Sequence, residues 1–161
     1  MQRTAFPVLL SMLLLGALVA CGGPVGPFAG GRLSGEIGDA AAGDWSFADD
    51  VENAQLETRP TDPYSVNTWF VGIGPALYVP TSMILGPKDP SDRGWVVHVA
   101  DDPAVRIRLG ERVFERTAVR VEGAEYDRAR SALEARYALD PAERDPERII
   151  WIYRLDPRAR S

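Results

Sequence analysis

The side chains that could do chemistry in this sequence are few, and their scarcity excludes several classes of protein. Cys21 is the only cysteine and His98 the only histidine in 161 residues. A Ser-His-Asp or Cys-His hydrolase needs a histidine oriented by an acid, and no acid stands at a recognisable spacing from His98. A single cysteine also excludes an internal disulfide and a Cys/His metal framework, so no metal site is expected.

One segment combines basic and hydroxyl side chains. Lys88 lies within, and Arg93 directly after, a stretch at residues 82–92 that is rich in glycine, proline and aspartate. The two cations could clamp a phosphate group, or they could be the solvated charges of an ordinary surface loop. Thr81 directly precedes this stretch and Ser82 begins it, and the two could either bind phosphate oxygens or cap the end of a strand.

The N-terminal residues have the pattern of an export signal. Arg3 gives a positive start, residues 8–15 are apolar except for one serine, and small residues lead up to Cys21. The run Leu18–Cys21 resembles the lipobox of bacterial lipoproteins. That resemblance implies cleavage before Cys21, acylation of its thiol and a membrane-lipid anchor. Because the next residue is Gly22 rather than aspartate, the outer membrane facing the periplasm is favoured, with the cell membrane as the alternative.

These signals divide the chain into four parts. Residues 1–20 are predicted to be a lipoprotein signal peptide, and 21–35 a lipidated, flexible tether, because glycine and proline are frequent there. Residues 36–156 form one domain, followed by a loose tail at 157–161. The net charge of −5 gives the protein no electrostatic reason to bind nucleic acid, so no nucleic-acid partner is expected.

The hydrophobic pattern predicts a mainly β domain of the α+β class. Alternating or β-rich runs predict six strands, at residues 54–59, 65–73, 76–81, 104–109, 112–121 and 149–155. Val105, Ile107 and Leu109 share one face of their strand, and we expect that face in the core together with Trp69 and Trp151. A short helix is predicted at 93–100, and a helix of about fifteen residues follows Gly123.

The order of these elements, over residues 64–121, resembles the split β-barrel of flavin-binding proteins. That superfamily includes the pyridoxamine-phosphate oxidases and the deazaflavin-dependent nitroreductases. The stretches that carry the resemblance are Pro63–Asn67, Leu77–Ser82, Gly94–Trp95 and Asp102–Gly110. It implies a small six-stranded antiparallel split β-barrel with one or two packing helices, and a possible homodimer.

The resemblance also implies a cofactor site. In such barrels the cofactor phosphate is bound near the end of the third strand and the loop and helix after it. The corresponding candidates here are Thr81, Ser82, Lys88 and Arg93. Ser65, Val66 and Asn67, on the second strand, would lie near the edge of the isoalloxazine ring. The cofactor would be FMN or a deazaflavin, if one is bound at all.

Two functions follow, and the sequence leaves both open. The first is a membrane-anchored envelope lipoprotein whose barrel has lost catalysis and binds a small molecule or an envelope protein. The sparse basic residues at positions 83–92 and the export signal favour it. The alternative is a flavin- or deazaflavin-dependent oxidoreductase, or a flavin carrier, at the membrane.

Overall fold

A computed structural model describes residues 22–39 and 42–158. The predicted signal peptide, Cys21 and the end of the predicted tail lie outside the described residues. Within the described ranges, no helix has both the length and the apolar character needed to cross a bilayer. The division into signal peptide, tether, domain and tail therefore stays a prediction.

The described residues form eight strands and two α-helices, which confirms a mainly antiparallel α+β fold. The strands are β1 (Glu36–Ile37), β2 (Ala54–Thr58), β3 (Tyr64–Thr68), β4 (Val71–Ile73), β5 (Ala76–Pro80), β6 (Ala104–Leu109), β7 (Arg112–Val121) and β8 (Ile152–Pro157). The helices are α1 (Gly94–Asp101) and α2 (Gly123–Arg136), and 3-10 turns lie at Ser46–Ala48, Pro90–Asp92 and Pro141–Glu143.

The prediction of six strands was wrong by two, and each extra strand has a local cause. The predicted strand 65–73 is interrupted at Phe70, whose N–H donates to the hydroxyl of Tyr137 (3.0 Å) instead of to a neighbouring strand. The ring of Trp69 stacks on Tyr137 at 4.1 Å. β1 has two residues, directly after the predicted tether, and it pairs in parallel with the start of β7.

The strands form a single curled sheet in the order β3-β2-β6-β7-β8-β5-β4, with β1 beside β7. All pairs except β1 with β7 are antiparallel. The two edge strands, β3 and β4, follow each other in the chain with only two residues between them. The sheet must therefore curl until its edges meet, although no ladder joins β3 to β4. The hydroxyl of Thr68 at the end of β3 reaches the carbonyl of Pro80 at 3.4 Å.

Two groups of buried side chains stabilise this sheet. The larger lies inside the curl and includes Val105, Ile107 and Leu109, each at most 1% exposed, as the alternation predicted. The smaller lies under α2, around Leu133 and Ile152. The two predicted core tryptophans, Trp69 and Trp151, are only partly buried and pack at the margins of these groups.

Residues 22–34, which we call the N-terminal strap, lie along the outer face of β2, β3 and β6. Gly30 exchanges two backbone hydrogen bonds with Ser65, at 2.9 Å each. Leu33 is 1% exposed. A Cβ on Gly30 would lie 2.3 Å from the backbone carbon of Gly23, so this glycine is required for close packing of the strap on itself.

A buried carboxylate fixes the C-terminal end of the strap. Glu57 on β2 is 1% exposed and accepts the backbone N–H of Leu33 at 2.6 Å. The guanidinium of Arg106 on β6 donates to the same carboxylate at 3.0 Å and to the carbonyl of Leu33 at 3.1 Å. The strap thereby completes the hydrogen bonding of an ion pair that would otherwise be exposed on the sheet.

We expect Glu57→Leu to lower the free energy of unfolding by about 3–5 kcal/mol, because it leaves the Arg106 guanidinium buried without a counter-charge. Urea unfolding measures this. The double variant Glu57→Leu/Arg106→Leu should recover most of the loss, since two apolar side chains replace the pair. Glu111→Leu, in the exposed β6–β7 turn, is the control and should change stability by less than about 0.5 kcal/mol. A double variant no more stable than Glu57→Leu would contradict the ion-pair explanation.

Candidate functional site

The loop between β5 and α1, residues 81–93, is held in shape by its own hydroxyl and carboxylate groups. Ser82 Oγ accepts the N–H of Leu85 at 3.1 Å. Asp89 accepts both the N–H and the hydroxyl of Ser91, at 2.9 and 2.7 Å, and these bonds lower the pKa of its carboxyl. The loop is therefore a folded segment rather than a loose connection, and it leads through Arg93 into α1.

Thr81 has a structural partner in this arrangement. Its side chain is buried, and its Oγ1 accepts the N–H of Trp151 at 3.0 Å. Its own N–H donates to the carbonyl of Trp151 at 2.9 Å. Thr81 thus joins the end of β5 to the residue before β8, which agrees with the strand-capping alternative for this hydroxyl.

Lys88 forms ion pairs across the loop. Its Nζ lies 2.6 Å from Glu147 and 3.0 Å from Asp145, and these carboxylates, Glu147 first, raise the pKa of the lysine. The carbonyl of Lys88 also accepts the N–H of Ile149 at 3.1 Å. A phosphate would have to compete with two carboxylates for this ammonium group, so Lys88 is a poor anion ligand in this structure.

Two guanidinium groups converge on the backbone of the same loop. Arg93 Nη2 donates to the carbonyls of Leu85 (2.6 Å) and Pro87 (3.0 Å). Arg148 Nη1 donates to the same two carbonyls at 3.2 Å each. Burial, and next the charge of Arg148, lower the pKa of Arg93. We call Arg93 and Arg148 the arginine pair. Like charges placed together beside a loop create a position that an anion would stabilise.

Arg148 is a residue that the sequence analysis did not select. It lies 55 positions beyond Arg93, in a polar connection with no motif of its own. The pairing of β5 with β8, through Val79 and Tyr153, and the backbone bond from Ile149 to Lys88 bring its part of the chain back to the loop. No local signal in the sequence predicts this approach.

The three candidates on β3 do not join the loop. The hydroxyl of Ser65 donates to the carbonyl of Gly31 at 2.7 Å, and the side chain is fully buried under the strap. Asn67 Nδ2 donates to the carbonyl of Gly26 at 2.9 Å. Val66 points the other way and packs against the larger core group. The strap therefore occupies the polar face of β3 on which the ring edge of a cofactor was expected.

His98 packs on the wall of the sheet rather than in the loop. Its Nδ1 lies 3.0 Å from the hydroxyl of Thr58, and its ring meets Tyr64 edge-on at 5.0 Å. Burial, and next the charge of Arg59, lower the pKa of the imidazole. Among the residues that the structure describes, no group of three His, Cys, Asp or Glu side chains is placed to hold a metal ion.

A comparison with models of protein families matches residues 70–151 to the F420H(2)-dependent quinone reductases. The match covers just over half of the sequence and includes the loop and Arg148. The chain belongs to this family. Membership implies a deazaflavin, F420, as the cofactor, and so confirms the prediction of FMN or a deazaflavin.

Solved structures resemble the fold at low sequence identity. One is an F420-H2 dependent reductase, FDR-A, which is 20% identical and has a TM-score of 0.54. The match covers 66% of this chain and 95% of the chain of FDR-A. A protein from Listeria innocua, named as a pyridoxamine 5'-phosphate oxidase, is 16% identical, with a TM-score of 0.50 and coverages of 71% and 90%. A domain-swapped dimer is 20% identical, with a TM-score of 0.55 and coverages of 66% and 81%. A comparison with curated protein sequences gave no match.

In this member of the F420H(2)-dependent quinone reductase family, the arginine pair at the loop fits an anionic part of such a cofactor. Arg93 donates from Nη2 alone, and its Nε and Nη1 make no hydrogen bond with the described residues. A guanidinium has five N–H groups, so donors remain for an anion. Lys88 does not fit this role, because its charge is already offset by Asp145 and Glu147.

A cavity of about 250 Å³ lies between the loop and the C-terminal end of α2, and Arg148 of the arginine pair is one of its lining residues. Met83, Ile84 and Ile150 give it an apolar wall, and Arg130, Arg144 and Glu134 a polar one. Pockets that enclose a whole organic ligand are usually about 300–1,000 Å³. The cavity therefore suits one part of a deazaflavin cofactor and not all of it.

Glu134 anchors the polar wall of this cavity. Its side chain is 5% exposed and accepts hydrogen bonds from Arg144 (2.6 and 2.7 Å) and Arg130 (3.1 Å). The bond from Arg144 is the main cause that lowers the pKa of Glu134 from 4.5, against the opposing effect of burial. The ionised carboxylate is thus preferred in the folded state.

We expect the Glu134 interaction to stabilise the protein above pH 4.5 and to be lost as the pH falls through the lower pKa of the folded state. Glu134→Gln should therefore lower the melting temperature at neutral pH and flatten its fall in acid. Melting curves between neutral and acidic pH measure this. The matched control is Glu143→Gln, at the exposed rim of the same cavity. The explanation is wrong if both variants follow the pH profile of the unsubstituted protein.

Proposed function

We propose that this chain is a deazaflavin-dependent oxidoreductase held at a bacterial envelope membrane by an acylated Cys21. The observation that carries the redox part is the arginine pair, which converges on one loop inside the segment that matches the reductase family. The loop is rigid, since Ser82 and Asp89 bond its backbone, so the two cations are already positioned. Positioned charges bind an anion at a lower entropic cost than flexible ones.

The residues of the chain would bind and orient the cofactor, and the cofactor would supply the redox chemistry. Reduced F420 would donate a hydride when bound. Arg93 and Arg148 would hold its anionic tail by charge-assisted hydrogen bonds. Met83, Ile84 and Ile150 would exclude water from the part of the tail that enters the cavity, which strengthens those bonds.

A binding module without catalysis is the second candidate, and one observation favours it. The strap buries Ser65 and accepts a hydrogen bond from the exposed Asn67, two of the β3 residues that the barrel resemblance assigned to the ring edge. With those positions filled by the chain itself, the barrel would bind a small molecule or an envelope protein by another surface. Cofactor binding distinguishes the two candidates.

We expect the protein to bind F420 at micromolar concentrations, and Arg93→Ala or Arg148→Ala to weaken binding about tenfold each. A charge-assisted hydrogen bond contributes roughly 1.5–3 kcal/mol, and about 1.4 kcal/mol is tenfold in affinity. Quenching of tryptophan fluorescence by added F420 measures the affinity, with FMN titrated in parallel. Arg112→Ala, an exposed arginine at the start of β7, is the control and should bind as the unsubstituted protein does.

Two results decide against parts of this proposal. Absence of F420 binding at about 100 μM would remove the oxidoreductase and leave the binding module. Full affinity in the Arg93→Ala/Arg148→Ala double variant would keep a cofactor but place its anionic part away from the arginine pair.

The proposal also includes a lipid anchor on Cys21 and a homodimer of the chain. The lipobox-like run Leu18–Cys21 supports acylation of Cys21, which two or three acyl chains would make stable. The position of Gly22 supports the outer membrane facing the periplasm, with the cell membrane as the alternative. A related fold occurs as a domain-swapped dimer, which supports a homodimer of this chain.

We expect Cys21→Ser to abolish lipid attachment, because the chain has no other thiol. Cells fed a clickable fatty acid, followed by immunoprecipitation of the protein, measure incorporation. Gly22→Ala keeps the cysteine and is the matched control; it should incorporate the label normally. Equal labelling of the Cys21→Ser variant would disprove the anchor.

A further inference from the structure

Two large apolar side chains stand out from the N-terminal strap on a tight turn. Val25 is 70% and Phe28 73% exposed, whereas Leu33, further along the strap, is buried. We call residues 25–28 the apolar turn. An exposed phenylalanine beside an exposed valine has no role in the core, so the turn presents apolar area to something outside the domain.

The apolar turn is rigid. Val25 and Phe28 exchange two backbone hydrogen bonds, at 3.1 and 3.0 Å, and Gly26 adopts the left-handed conformation that closes the turn (φ 55°). Asn67 Nδ2 holds the carbonyl of Gly26 at 2.9 Å. The sheet therefore fixes the position of both exposed side chains. Little conformational entropy remains to be lost when they are buried.

The chemistry around the turn is that of a membrane-facing surface. Residues 22–31 contain no charged side chain, and the first charge after Cys21 is Arg32, whose side chain is 56% exposed. The N–H of Gly31 donates to the carbonyl of Gly22 at 2.9 Å, which brings Gly22 to the base of the turn. Because Cys21 is bonded to Gly22, acyl chains on its thiol would start beside the apolar turn.

We propose that the apolar turn inserts Val25 and Phe28 into the interfacial layer of the bilayer that holds the acyl chains of Cys21. The proposal rests on the anchoring part of the proposed function. Two side chains are too few for a stable protein interface, which buries about 1,200–2,000 Å². They suit shallow insertion of about 5–10 Å, which adds to the hold of the acyl chains. The strap side of the barrel then faces the membrane.

An environment-sensitive fluorophore tests the insertion in the processed, full mature protein. An acylated Cys21 cannot react with a maleimide, so in Phe28→Cys the new residue is the only free thiol. The nitrobenzoxadiazole-labelled protein is reconstituted into phosphatidylcholine vesicles, whose neutral surface excludes attraction by charge. Val25→Cys is a second site. Ser131→Cys, on the exposed face of α2, is the control.

Blue-shifted emission at positions 25 and 28, with none at 131, is the expected result. Emission at 25 and 28 equal to that at 131 overturns the insertion. The unsubstituted protein separates this failure from failure of the anchor. If it takes up the maleimide, Cys21 is not acylated, and the anchor is overturned together with the insertion that depends on it. If it stays unlabelled while position 28 is unshifted, the anchor stands and only the insertion is wrong.

Discussion

The buried carboxylate of Glu57, with its hydrogen-bonded partners, forms the interaction on which the surface of this domain depends. A carboxylate that is 1% exposed requires compensation, and it receives the guanidinium of Arg106 and the backbone N–H of Leu33. The second of these partners belongs to the strap. Burial of one charge on β2 therefore decides that residues 22–34 lie on the sheet. The covered face of β3 and the position of the apolar turn both follow.

The strap also shows a use of glycine other than flexibility. A glycine-rich segment suggests flexibility, and that was the expectation for residues 21–35. In the structure Gly30 is required because a Cβ there would meet the backbone at 2.3 Å. A Cβ on Gly38 would likewise lie 2.1 Å from the ring of Phe114. Glycine allows close packing as well as flexibility, and composition alone does not distinguish these two uses.

Period-two alternation predicted most of the sheet, because each strand carries the alternation of buried and exposed residues in its own sequence. Val105, Ile107 and Leu109 are buried for this reason. The interruption at Phe70 was not predictable in this way, since its partner, Tyr137, lies 67 residues away. The candidate site shows the same difference between local patterns and contacts of residues far apart in the chain. The loop that carries Lys88 and Arg93 is recognisable from its composition, whereas Arg148 reaches it only through the fold. The carboxylates that offset the charge of Lys88 also lie far along the chain.

The way in which the strap is attached has a mechanical consequence. Its contacts with the sheet follow one another along the chain, from Gly26 through Gly30 to Leu33. A force applied at the N-terminal end of the strap would load these contacts one at a time, so the strap would peel rather than shear. The contacts of Leu33 with Glu57 and of Ser34 with Arg108, at the C-terminal end of the strap, would be the last to break. Tension at the surface would therefore be taken up by these contacts before it reached the strands of the sheet.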